Sequence, residues 1–200
     1  MKKIVVIAAL VLSTLGVSAQ HAVGSFTIQP KVGLNIADIT NGDGSDFRVG
    51  AVFGAEFEYQ ATDLIGVSFG ALYSMQGAKA SGDVDIDGYS ANADATLKMD
   101  YINVPILANF YVAKNFAFKV GVQPGFNIKH KMGVKAGGVS ADVDVPGAKS
   151  IDFSIPLGMS YEYNNFVVDA RYNIGLTDWA KDADSKNSVI QITLGYKFDL

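Results

Sequence analysis

The chain has 200 residues, enough for one domain, and its net charge of −4 offers no basic face for a nucleic-acid partner. It has no cysteine, which excludes disulfides, thiolate metal sites and a cysteine-linked lipid anchor. Mean hydropathy is positive, yet beyond residue 19 no apolar run is long enough for a membrane helix.

The first predicted element is a targeting segment. Lys2 and Lys3 form a short basic region, Ile4 to Val17 is almost continuously apolar, and Val17-Ser18-Ala19 fits the small-residue cleavage rule. Residues 1–19 are therefore expected to be a cleavable signal peptide, and residues 20–200 the exported domain.

The rest of the chain reads as period-two segments, the signal of half-buried strands. In the first, Phe26, Ile28, Pro30, Val32, Leu34 and Ile36 alternate with Thr27, Gln29, Lys31, Gly33 and Asn35. The second runs from Phe47 to Tyr59, with Arg48, Glu56 and Glu58 on its polar face, and the third from Ile65 to Met75. The fourth begins as Leu97, Met99 and Tyr101, then shifts phase to Ile102, Val104, Ile106, Ala108 and Phe110. Such a slip with the apolar face retained predicts a β-bulge. The fifth runs from Phe116 to Ile128, with Lys119 on its polar face. The sixth, Ile151 to Tyr163, carries Glu162, and the seventh, Phe166 to Leu176, carries Asp169 and Arg171. The eighth, Ile190 to Leu200, carries Lys197. Connections after strands two, four and six are tight, whereas those after strands one, three, five and seven are longer, polar and Gly-rich.

An even strand number with alternating short and long connections predicts an all-β fold: an eight-stranded antiparallel up-and-down transmembrane β-barrel in the bacterial outer membrane. Outward aromatics at the short-turn end, Phe26, Tyr59, Phe110, Phe116, Tyr163, Phe166 and Phe198, fit an interfacial girdle. A soluble barrel with the apolar face inside is the alternative. Its lumen would have to hold roughly fifty apolar side chains, whereas eight strands leave an interior just wide enough to be filled. Pro30, Pro105, Pro124 and Pro156 stand against any closed barrel, which has no edge strand to accommodate a missing ladder donor.

These residues resemble the PorT-like outer-membrane β-barrel family, whose members often carry the label "porin family protein". The stretches Tyr101-Ile102-Asn103-Val104-Pro105-Ile106-Leu107 and Asp169-Ala170-Arg171-Tyr172-Asn173-Ile174-Gly175-Leu176-Thr177 carry the likeness. The strand count is also similar to that of small OmpA/OmpX-type barrels. The last strand, with Gly195, Phe198 and terminal Leu200, matches the family's assembly signal. The resemblance implies recognition by the barrel-assembly machinery and contact with outer-membrane lipid.

Chemistry is sparse. Of two histidines, His21 adjoins the cleavage site, and His130, between Lys129 and Lys131, reads as a solvated loop residue rather than a catalytic base. Asp83, Asp85, Asp87 and Asp94 have oxygen-ligand spacing like a calcium loop, but position 8 is Ser90 and position 12 is Asp rather than Glu. An extended hairpin arm is the expected form of this segment, and no cofactor or metal is expected. The inward charges are the remaining constellation. Lys31, Lys119, Arg171 and Lys197 fall at one end of the lumen with Glu56, Glu58, Glu162 and Asp169. Equal numbers of each sign suggest mutual pairing across a narrow interior. The expected role is a barrel without enzymatic activity, serving envelope integrity or surface interaction. A narrow passive pore and a lipid-modifying enzyme are the alternatives.

Overall fold

The computed structural model describes residues 21–42, 44–86, 89–136, 139–180 and 184–200, with side chains from 82 to 93 and from 136 to 139 also outside the description. The expected signal peptide lies outside the described residues. The strands are β1 (Phe26–Ile39), β2 (Ser45–Gln60), β3 (Ile65–Ile86), β4 (Tyr89–Asn103), β5 (Ile106–Ala113) and β6 (Phe116–Ala136). They continue with β7 (Val139–Asp144), β8 (Ile151–Tyr163), β9 (Phe166–Asp178), β10 (Lys186–Tyr196) and β11 (Phe198–Asp199). Neighbours pair antiparallel in chain order, and β1 pairs with β10 and β11 to close the wall.

Among the described residues eleven segments thus stand where eight strands were expected. The fourth strand is divided into β4 and β5, the eighth into β10 and β11, and β7 lies beside the upper part of β6 before β8 takes its place lower down. The wall still has eight staves around it.

The prolines sit where the ladder is interrupted. Pro105 lies in the gap between β4 and β5, beside Pro124, whose carbonyl accepts a bond from Val104 N at 2.8 Å. Pro156 falls in the break of β6–β8 pairing between Leu157 and Ser154, and Pro30 faces the break between β10 and β11. Each missing N–H is therefore placed where no ladder bond is made, which a closed barrel otherwise cannot offer.

Alternation sets the two surfaces. Val32, Leu34, Phe53, Val122, Phe153, Val168 and Leu194 face out and are each about half exposed or more, while their neighbours Lys31, Gln123, Asp169 and Thr193 are buried inside. An apolar outer belt of this extent belongs in lipid, not water. At the short-turn end Phe26 packs on Tyr59 at 4.8 Å and Tyr196 on Phe198 at 4.7 Å, within the girdle. Asn164 and Asn165 make a two-residue turn with φ of 48° and 67°, the left-handed pair of a type I′ hairpin.

The fourth strand differs from its sequence reading. Its alternation does not slip: Leu97, Met99 and Tyr101 are buried in the lumen, in phase with Asn103, Leu107 and Asn109, while Ile106 and Phe110 face out. What changes is which face is apolar. The extra residue sits on the neighbour, where Asp100 pairs with Lys129 and Tyr101 with Asn127, leaving Ile128 unpaired.

Above that level β3, β4, β6 and β7 continue as one sheet beyond the apolar belt. From Lys98 to Tyr89 it adds roughly 30 Å of strand at about 3.3 Å per residue. Cross-strand partners share a face. One rung holds Ala78, Leu97, Met132 and Val143, and the next holds Lys79, Thr96, Gly133 and Asp142. The first of these faces is the lumen side, since Leu97 packs with Met99 and Tyr101 there.

Candidate functional site

The lumen is the site, and its inward charges are placed by strand parity. Long charged side chains lie beside glycines on neighbouring strands. Arg171 and Lys119 both pair with Gly158, where an added Cβ would meet Arg171 Cγ at 2.7 Å. Glu56 pairs with Gly70, where a Cβ would come within 2.8 Å of Glu56 Cγ.

Two clusters result. In the first, Arg171 donates to Glu56 through two nitrogens at 2.6 and 2.7 Å, and to Asp169 Oδ2 at 2.8 Å. Lys31 donates to Glu56 at 2.7 Å and lies 3.8 Å from Asp169, and Lys119 donates to Asp169 at 2.8 Å. These five side chains come from β1, β2, β6 and β9, so the cluster reaches across the interior. No member exceeds 4% exposure, which leaves them one another as their charge partners.

The second cluster is nearer the short-turn end. Lys197 lies 3.0 Å from Glu58 and 3.3 Å from Glu162, and donates to Tyr111 Oη at 3.0 Å, while Tyr111 donates to Glu58. The structure thus brings all eight sequence-selected charges inside, divided between two groups rather than joined in one.

His21 completes the second group, and sequence reasoning gave it no role. Its Nε2 is 3.1 Å from Glu162 and its Nδ1 2.8 Å from Asp199. The hydrogen bond with Glu162 is the main cause that raises the His21 pKa above its ordinary value, against the opposing effects of burial and Lys197. Two carboxylates on two ring nitrogens suit the doubly protonated ring. The segment it belongs to is tied to the barrel by Gly24 N to Gln60 O at 2.8 Å and Gln60 N to Ser25 O at 3.0 Å. No periodicity could have shown this, because the contact joins residues 178 positions apart.

At the other end the lumen changes character. Leu97, Met99 and Tyr101 form a buried apolar cluster against Ile39, Val145 and Trp179. Beside it Asn187 donates to Tyr101 Oη at 3.2 Å, and Thr177 to Asp152 at 2.6 Å.

The other candidates lie elsewhere. His130 is exposed on β6 with Nδ1 3.4 Å from Asn127 Oδ1. Asp87 and the side chains of Asp83 and Asp85 are outside the described residues, and Asp94 is exposed on β4. The backbone around them is a paired hairpin, with Asp83 opposite Asn92 and Asp85 opposite Ser90. In the terminal strand Gly195 is buried between Lys31 and Val167, whereas Phe198 and Leu200 are exposed.

Residues 18–181 match the family model described as outer membrane protein beta-barrel domain. The chain belongs to this family. It is a bacterial outer-membrane protein, and its apolar belt faces the bilayer. Solved structures similar to it include Ail, the attachment invasion locus protein of Yersinia pestis, at 15% identity and a TM-score of 0.46, over 88% of this chain and 100% of that one. Neisserial surface protein A is similar at 15% identity and a TM-score of 0.48, over 86% of this chain and 97% of that one. OprG of Pseudomonas aeruginosa is similar at 15% identity and a TM-score of 0.44, over 90% and 99% of the two chains. No curated protein matches the chain.

Proposed function

We propose that this chain is a non-enzymatic outer-membrane barrel with a sealed lumen, presenting its external sheet at the cell surface. One observation carries the reading: the Arg171–Glu56–Lys31–Asp169–Lys119 cluster joins opposite walls through buried ion pairs. A solute crossing this level would have to part charges that have no water to replace their partners. The apolar layer of Leu97, Met99 and Tyr101 supports the reading from the other end. The stretches around Pro105 and Arg171 support the narrower placement among PorT-like barrels. Outer-membrane lipid around the belt and the barrel-assembly machinery at the last strand are the partners this reading requires.

Swelling of liposomes loaded with the refolded protein tests it. Small sugars and amino acids should enter no faster than into protein-free liposomes. Swelling that scales with protein content would support a passive pore instead.

A further inference from the structure

We propose that the free edge of β7, above the membrane, takes an extended polypeptide segment whose side chains alternate between apolar and basic. This rests on the reading of the chain as a barrel that presents its external sheet. Among the described residues β7 pairs with β6 alone. A strand paired on one side leaves N–H and C=O groups on the other, a template for a further strand.

The side chains say which segment fits. Ala141 and Val143 share the face of Leu97, and Val143 is 59% exposed. Ser140, Asp142 and Asp144 share the opposite face and are exposed. On that face Lys98 Nζ lies 2.7 Å from Asp142, and Lys131 Nζ lies 3.9 Å from Asp144. Reading across the strands, Lys98 and Lys131 lead to Asp144 at the edge of its rung. A cation on the next strand lies beside the acidic edge of Asp142 and Asp144, whereas a carboxylate there sets like charges side by side. Apolar residues on the other face of the incoming segment cover Ala141 and Val143.

A second copy of this chain fits poorly. Two copies in one membrane are related by an axis along the membrane normal. That axis turns the sheet over, so Ala141 and Val143 of one copy would continue the face that carries Asp142 and Asp144 in the other.

The test uses the full-length protein in lipid nanodiscs with two short synthetic peptides, one alternating Val and Lys, the other Val and Glu. Hydrogen exchange should show protection of the β7 amides by the Lys peptide, which should bind about tenfold more tightly than the Glu peptide. The double variant Asp142→Lys, Asp144→Lys should invert that preference. Unchanged exchange in β7, equal binding of both peptides, or dimers formed through β7 would overturn the proposal. Conductance of the same preparation keeps the two readings apart. A silent barrel without β7 protection removes the edge site alone, and a conducting barrel that binds the Lys peptide removes the sealed lumen alone.

Discussion

Arg171 on β9 grips both carboxylate oxygens of Glu56 on β2, at 2.6 and 2.7 Å, with β1 and β10 standing between them in the wall. The pair is a strut through the lumen. Replacing Arg171 by Gln leaves Glu56 and Asp169 with only Lys31 and Lys119, in a space closed to water. Breaking a buried pair from one side typically costs about 3–5 kcal/mol. We expect the variant to unfold at lower urea than the wild type, and to lose its heat-dependent mobility shift in detergent gels at a lower temperature. Unchanged unfolding would mean that the strut carries no load.

Gly158 tests the same strut without touching a charge. A side chain there would come within 2.6 Å of the Ala170 carbonyl and 2.7 Å of Arg171 Cγ. The first contact is backbone and cannot swing away. Gly158→Val should therefore destabilise the barrel by a few kcal/mol, roughly as overpacking does elsewhere. Equal unfolding midpoints for Gly158→Val and the wild type would contradict the packing described.

The His21 latch should respond to pH with a definite sign. Its pKa is raised above the ordinary 6.5 by the carboxylate of Glu162, with Asp199 adding in the same direction and Lys197 opposing. A raised folded pKa means that the stabilisation is complete below about 6.5 and lost as pH climbs through the raised value. Protection of the Gly24 amide, corrected for intrinsic exchange, should fall over that alkaline window. The His21→Ala variant should show no such fall. A wild-type profile as flat as the variant's would remove the latch.

Phe198 faces out at the closing strand and packs on Tyr196. Phe198→Glu should prevent assembly in cells, leaving the chain in the periplasm or degraded. Insertion at the wild-type level would show that this position is no part of an assembly signal.

Alternation made the wall legible, because each outward Val, Leu or Phe is followed by an inward residue. The lumen positions of Lys31, Glu56 and Arg171 follow from that parity alone. At Leu97, Met99 and Tyr101 parity held, but the rule that the apolar face points outward failed. They are apolar and inward at a level where the opposite face carries the charges of Lys98, Lys129 and Lys131. Sequence period reports which residues share a face, not what that face touches. The division of the charges into two groups was equally hidden, since it depends on strand register. His21 was illegible for a third reason: its partners come from β8 and the terminal strand, which only barrel closure brings to the N-terminal segment.

The most direct measurement of the sealed lumen is single-channel recording of the refolded wild-type protein in a planar bilayer, with Arg171→Gln beside it. We expect the wild type to show no steady conductance at moderate voltage, and the variant to leak where Glu56 and Asp169 have lost their partner. Steady, reproducible wild-type channels that the substitution leaves unchanged would contradict a lumen closed by these ion pairs.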